Sequence, residues 1–228
     1  MISVEQGEMD DLAEVDEIIN KVLLLYTMNG LSEYGTLDKW KIQKTAFFNQ
    51  YDAQVKRIKG INYQFFKWTH GPMSAEIVKD LDLFNQIGFV ELKGQNKAIE
   101  AITKEGKELV SQMSEFIDSG ENAPIIDHLS GWIHHLGEYT GRELRDLSHR
   151  CQVPYRDSTA KIDDIPDGTP LLNPIKLRDV SYEFEIPKEW IRTLDLMFSY
   201  RYPEIRETLE TPFKAKELLT WSEVFESE

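Results

Sequence analysis

The chain has 228 residues, of which 41% are hydrophobic, and a formal net charge of -14. This length and composition are typical of a globular protein and exclude a largely disordered chain. No apolar run reaches the roughly 18 residues that span a bilayer. The acidic segment Met1 to Glu17 lacks the features of a signal peptide, and the single cysteine, Cys151, favours a reducing compartment. We therefore expect a cytoplasmic protein without membrane contact.

The net charge argues against general nucleic-acid binding, because phosphate contacts need a basic surface. The charges are unevenly distributed, however: the first 20 residues contain seven acidic residues and no basic one. The stretch from Leu37 to Lys67 contains two acidic residues, Asp38 and Asp52, and seven basic ones: Lys39, Lys41, Lys44, Lys56, Arg57, Lys59 and Lys67. This stretch predicts either a local basic face for a polyanion or acidic partner, or a helix that balances the acidic N-terminus within the protein.

Apolar residues at helical spacing predict a first helix from about Asp10 to Met28, which ends at Asn29-Gly30. A second helix is predicted from roughly Asp38 to Arg57, closed by Gly60. The segment Ile61 to Trp68 is aromatic and β-branched enough for a short strand. The pair Gly71-Pro72 then predicts a break in the chain.

The next segment has the outline of a winged helix. Ser74 is a candidate N-cap of a helix that ends at Gly88. The segments Phe89–Leu92 and Ala98–Ile102 flank a Gly/Asn turn and predict a hairpin, and Thr103 caps a further helix. Helix, glycine stop, hairpin and closing helix follow in the order that this motif requires.

Beyond Gly120 the chain is predicted to be mostly helical. One helix stops at Gly137, and the next opens with the capping-box spacing Thr140 to Glu143. The range Val153 to Pro174 contains four of the nine prolines and predicts a long surface loop. Pro187 opens another helix, and the tail from Pro203 on is predicted to be helical and acidic.

The predicted fold is therefore mainly α with a small antiparallel β-hairpin (α+β), a winged-helix-like core within a larger helical domain. We divide the chain into an acidic N-terminal helix (1–36), a core (37–174) with the winged-helix-like segment 61–110, and a helical C-terminal appendage (175–228).

The sequence contains no nucleophile elbow, phosphate-binding glycine loop or dinucleotide fingerprint. Asp146 precedes His149 by three residues, but no further metal ligand lies near them in sequence. His149 and Cys151 are two residues apart, a spacing that points helical side chains in different directions. We therefore expect no enzymatic activity, no metal and no cofactor; an enzyme acting through His149 and Cys151 is the third alternative.

A DNA-binding regulator is the second alternative. As a recognition helix, Ser74 to Gly88 would carry a net charge of -2, the wrong sign for docking against phosphates, from Glu76, Lys79, Asp80 and Asp82. A DNA-binding role would therefore have to use the basic helix 38–57.

Three stretches together resemble the Panacea domain of SocA-like antitoxins and related prophage proteins. Lys41 to Phe48 reads Lys-Ile-Gln-Lys-Thr-Ala-Phe-Phe and resembles that family's Lys-Leu-Gln-Lys helix. Phe66 to Pro72 is similar to its aromatic stretch ending in Gly-Pro, although His70 stands where an aromatic residue usually precedes Gly-Pro. Leu144 to His149, followed by Pro154-Tyr155, is similar to its Leu-x-x-Leu-Ser/Thr-His with a downstream Pro-Trp or Pro-Tyr. The order and distances agree over roughly residues 23–170.

The resemblance implies a mainly helical, non-enzymatic domain that neutralises a toxin encoded beside it by direct contact. Some relatives instead act as adaptors that deliver the toxin to a protease. The candidate partner-binding residues are Lys41, Lys44, Trp68, His70, Gly71, Pro72, His149, Pro154 and Tyr155.

The residues themselves also allow a scaffold role. We expect Gly71 to allow a tight backbone turn, Pro72 to fix the start of the next helix, and Trp68 to pack beneath them. We expect His149 to donate a hydrogen bond to the Pro154-Tyr155 segment.

Overall fold

The computed structural model describes residues 2–93, 99–176 and 180–203. Within these ranges the protein is mainly helical with small sheets, which confirms the predicted α+β class. The helices are α1 (Ile2–Ser32), α2 (Lys39–Lys56), α3 (Ala75–Gln86), α4 (Lys104–Ile117), α5 (Ala123–Leu136), α6 (Gly141–Arg150) and α7 (Lys188–Met197). None of the helices in these ranges has the length and apolarity needed to cross a membrane.

The strands are short, and they form four small sheets. Their bounds are β1 (Leu37–Asp38), β2 (Ile58–Lys59), β3 (Phe65–Trp68), β4 (Gly71–Met73), β5 (Val90–Lys93), β6 (Ile99–Ile102), β7 (Gln152–Tyr155), β8 (Ser158–Lys161), β9 (Pro170–Leu172) and β10 (Tyr182–Glu183). Antiparallel pairing gives the orders β1-β6-β5, β4-β3-β9 and β7-β8. The strands β2 and β10 pair in parallel.

Helix α1 is longer than predicted and continues through Gly30. A Cβ atom at Gly30 would lie 3.0 Å from Cγ2 of Ile133. The absence of a side chain therefore lets α1 approach α5 closely, so that this glycine serves packing and does not end the helix. The run Val22 to Leu25 is fully buried, which places this part of α1 in the interior of the protein.

Helix α2 is the second interior helix, and all ten residues from Lys41 to Gln50 are buried. Asp38 caps its start by accepting a hydrogen bond from the backbone N–H of Lys41 at 2.8 Å. The helix ends at Arg57, which adopts a left-handed conformation with φ 59°. The predicted bounds, roughly Asp38 to Arg57, are therefore confirmed, although the closing residue is Arg57 and not Gly60, and β2 begins directly after the cap.

The predicted order of helix, hairpin and closing helix between α3 and α4 is confirmed. Ser74 and Thr103 cap the two helices through their side-chain oxygens, and Gly88 has φ 85°. The hairpin β5-β6 lies between them, although its predicted Gly/Asn turn falls within residues 94–98, outside the described ranges. Because that turn would form the tip of the wing, the winged-helix character itself stays a prediction.

The predicted surface loop from Val153 to Pro174 is wrong. This range contains most of β7, all of β8 and β9, and a 3-10 helix at Ile162–Asp164. Its apolar residues reach the core, including Val153, Ile162, Ile165 and Leu172. Prolines are compatible with this structure because Pro154 and Pro170 lie in edge strands, where a missing backbone N–H is tolerated.

The described part of the C-terminal appendage packs into the core. Helix α7 buries Trp190, Leu194 and Met197. Beyond it, the rings of Phe198 and Tyr202 lie 6.2 and 5.3 Å from the ring of Phe89. The predicted helical tail begins at Pro203, and all of it from residue 204 on lies outside the described ranges.

Candidate functional site

Two polar side chains of α2 hold backbone groups of distant segments. The Lys41 Nζ atom donates a hydrogen bond to the carbonyl oxygen of Gly137, at the end of α5, over 2.5 Å. The Gln43 side chain pairs with the backbone of Ser74 twice, donating to its carbonyl and accepting from its N–H, both at 2.9 Å. Because both side chains are buried, these bonds fix α5 and the start of α3 to α2.

The Lys44 side chain is fully buried and holds the segment before α3. Its Nζ atom donates to the carbonyl oxygen of Pro72 at 2.5 Å and lies 5.4 Å from the centre of the Trp40 ring. Burial lowers the pKa of Lys44 to about 7, and the positive charges of Arg145 and Lys67 lower this pKa further. Lys44 is therefore a positioning residue beneath the surface and is not available to contact a partner directly.

The backbone turn at Gly71 is the point where the three motif stretches meet. Gly71 has φ 84°, which confirms the predicted tight turn. A Cβ atom at this position would lie 2.7 Å from Oγ of Ser148, 3.5 Å from Nζ of Lys44 and 3.6 Å from Cδ2 of His149. Pro72, also buried, precedes the N-cap of α3 by two residues. The Gly71 turn is therefore enclosed by α2 on one side and α6 on the other.

His149 has a different partner from the one predicted. Its Nδ1 atom lies 2.5 Å from Oδ1 of Asp163, in the 3-10 helix, so the expected hydrogen bond to Pro154-Tyr155 is wrong. Pro154 is exposed, and Tyr155 is half-buried. The guanidinium group of Arg156 lies 5.1 Å from the centre of the Tyr155 ring. The chain between Cys151 and Lys161 forms the hairpin β7-β8, which returns the backbone to α6 and brings Asp163 to the histidine.

Trp68 does not pack beneath the turn, and this prediction is wrong. The residues of β3 alternate between inward and outward positions, so Phe65 and Lys67 are buried while Trp68 is 51% exposed. His70 is also exposed, and its ring meets the ring of Trp40 edge-on, with centres 4.7 Å apart. Trp40 is 37% exposed. We call Trp40, Trp68 and His70 the tryptophan surface.

A carboxylate from the β8–β9 connection holds the hairpin β3-β4, which carries Trp68 and His70. Asp167 bonds to Nζ of Lys67 at 2.8 Å and accepts from the hydroxyl of Thr69 at 3.0 Å. These two hydrogen bonds lower the pKa of Asp167 below its usual range, and the bond from Lys67 has the larger effect. Asp163 and Asp167 were not predicted as site residues, because no local pattern marks them and their partners lie 14 and 100 residues away.

The basic stretch does not form one solvent-exposed face. Four of its seven basic residues are buried, namely Lys41, Lys44, Lys59 and Lys67. Lys59 bonds to Asp16 of α1 at 2.7 Å and to Glu183 of β10 at 2.8 Å, an internal balance with the acidic N-terminal helix. This arrangement gives no support to DNA binding through the helix 38–57.

Cys151 lies at the end of α6, where its thiol donates to the carbonyl oxygen of Leu147 at 3.6 Å. Burial raises the pKa of this thiol, which is the opposite of what a nucleophilic cysteine needs. In the described parts of the chain, no group of three or more His, Cys, Asp or Glu side chains is placed to hold a metal ion. The site consists of exposed aromatic rings above a frame of buried, hydrogen-bonded polar side chains.

Comparison with known proteins adds no relative to this description. No family model matches the chain, and neither a curated protein nor a solved structure matches it.

Proposed function

We propose that this protein is a protein-binding antitoxin, or an adaptor that delivers a toxin to a protease, and that it contacts the toxin through the tryptophan surface. The observation that supports this proposal is the exposure of two tryptophans: Trp40, whose ring meets that of His70, and Trp68, which precedes His70 by two residues. Tryptophan is among the residues that supply most binding energy at protein interfaces. An aromatic cluster left in solvent is therefore best explained by a partner that covers it.

The candidate residues divide into two roles under this proposal. Lys44, Gly71 and Pro72 are buried and position the hairpin β3-β4, and the buried Lys41 holds the end of α5. Trp68 and His70 are exposed and supply contacts. Fixing the hairpin before binding reduces the entropy that association costs, because the aromatic side chains are presented on a rigid support.

The test begins with the product of a neighbouring reading frame, expressed alone and together with this chain. We expect this product to be toxic alone, harmless with the wild-type protein, and to co-purify with it. Trp68→Ala is expected to weaken the complex by at least about tenfold, as for a moderate interface hot spot. Affinity is measured by titration calorimetry with the purified pair.

Tyr182→Ala is the matched control, because Tyr182 on β10 is 50% exposed, almost as much as Trp68. This variant should keep wild-type affinity. A neighbour that is harmless alone and never co-purifies would refute the antitoxin proposal. If Trp68→Ala and Tyr182→Ala lowered the affinity for the toxin equally, the toxin would still be the partner, but the tryptophan surface would not be its binding site.

A further inference from the structure

A cleft between α1 and α3 has features that the proposed function does not use. Its volume is about 260 Å³, slightly below the range of about 300 to 1,000 Å³ that is common for small-molecule pockets. It therefore suits one small polar head group. Its lining residues come from α1, α3 and the segment before β3: Glu17, Asn20, Lys21, Tyr63, Glu76, Lys79 and Asp80.

Asp80 is the unusual member of this lining. It is mostly withdrawn from solvent, and its Oδ2 atom accepts a hydrogen bond from the hydroxyl of the buried Tyr63 at 2.7 Å. Within the described ranges, no lysine, arginine or histidine nitrogen lies within 4.0 Å of its carboxylate. Burying a carboxylate without a cation is costly, so such a group marks a place where a cation would be stabilised.

Other buried charges of the protein show the contrast. Lys59 has two carboxylates within 2.8 Å, and Lys67 has Asp167 at 2.8 Å. Lys21, which also lines the cleft, lies 3.6 Å from the carboxylate of Glu17 and pairs with that group. The ion pairs that balance buried charges elsewhere are therefore not repeated at Asp80.

The remaining groups of the cleft leave one negative charge in excess. Three carboxylates and two ammonium groups line it. Glu76 is already engaged, because its Oε2 atom accepts from the backbone N–H of Gln64 at 2.9 Å. Glu76 and Asp80, two of the three acidic side chains that make α3 unsuitable as a DNA-reading helix, therefore contribute to this cleft.

We propose that the cleft binds an organic cation, the ammonium or guanidinium group of a small amine or of a basic side chain, with Asp80 as its carboxylate partner. A metal ion fits less well, because the three carboxylates of the cleft are not placed as a group that could hold one. This site involves none of the residues of the tryptophan surface, so its test is independent of the proposed function.

The probes are putrescine and agmatine for small amines, and blocked tripeptides with a central lysine or arginine for a basic side chain. Binding to the full chain is followed by amide NMR titration near neutral pH. We expect at least one probe to saturate, with the largest shifts at residues 17–21 and 76–80. Preference for the tripeptides over the free amines would identify a basic side chain as the ligand, and the reverse preference a small amine.

Asp80→Asn should weaken this binding by more than about tenfold, the loss typical of removing one partner of a buried charge pair. Asp82→Asn removes the same charge from an exposed position of α3 outside the cleft, and it should leave binding unchanged. The proposal would be overturned if no probe bound, or if Asp80→Asn and Asp82→Asn lowered the affinity equally.

A second measurement uses the wild-type protein alone, in case Asp80→Asn fails to fold. Burial raises the pKa of Asp80 to about 6, with smaller opposing effects from Tyr63 and Lys21 and a further rise from Glu17 and Glu76. Lys79 is the other charged group that faces the cleft. Affinity should therefore fall as the pH is lowered from about 7.5 to about 5, and an affinity independent of pH would contradict the assignment of Asp80.

Discussion

Replacing Gly71 with alanine is expected to lower the free energy of unfolding by about 3 kcal/mol, as the sum of backbone strain and overpacking. At φ 84° a Cβ atom is strained in any surroundings. The added atom would also lie 2.7 Å from Oγ of Ser148. That hydroxyl cannot turn away freely, because it is buried and donates to the carbonyl oxygen of Arg145 at 2.7 Å.

Gly168→Ala separates these two effects. Gly168 has the same φ of 84°, but a Cβ atom there would meet nothing within 4 Å. In this variant the free energy of unfolding should fall by only about 1 kcal/mol, the cost of a left-handed backbone for a residue with a Cβ atom. Urea denaturation of both variants gives the comparison. If both variants lowered the free energy of unfolding equally, the Gly71 turn would not be enclosed by α6.

The second large effect concerns Lys44 and pH. We expect the free energy of unfolding of the wild-type protein to rise by about 2 kcal/mol more than that of Lys44→Met between about pH 7 and pH 9. The reason is that the folded state holds a lysine whose pKa is about 7, whereas the ordinary lysine value of 10.5 applies to the unfolded chain. Methionine has a similar length and no charge.

The sign follows from proton binding. Between about pH 7 and 10.5 the unfolded chain keeps a proton on Lys44 that the folded protein has released, so stability rises with pH. Below about pH 7 both states are protonated, and the folded protein bears the cost of the buried charge in full. Above about pH 10.5 both are neutral, and that cost is absent.

Urea denaturation at several pH values measures this difference. Lys39→Met is the control, because Lys39 begins the same helix but is only half-buried, and its profile should run parallel to that of the wild type. A constant difference between the wild type and Lys44→Met from pH 7 to pH 9 would show that Lys44 is not buried as a titrating group.

Several features of the fold were readable from the sequence because they depend on neighbours along the chain. The caps at Ser74 and Thr103 and the capping box at Thr140 are formed by side chains and backbone groups three residues apart. The turn at Gly71 was readable for the same reason. Helical periodicity located α1 to α7 in outline, although Gly30 suggested too early an end for α1.

The site was predicted only in part. The motif resemblance selected Lys44, Gly71 and His149, and these residues do lie together. The exposure of Trp68, the pairing of His149 with Asp163, and the cleft at Asp80 had no signal in the sequence. Each depends on segments that are distant along the chain and meet only after folding.

By itself, the sequence determined the local structure of this protein, including its caps, its helices and the turn at Gly71. Tertiary structure alone decided which charges and aromatic rings reach solvent. The lysines of α2 resembled a basic surface because formal charge carries no information about burial. Lys41 and Lys44 became internal hydrogen-bond donors because α1, α5 and α6 enclose the helix, whereas Trp40, Trp68 and His70 lie where no such element covers them and reach solvent.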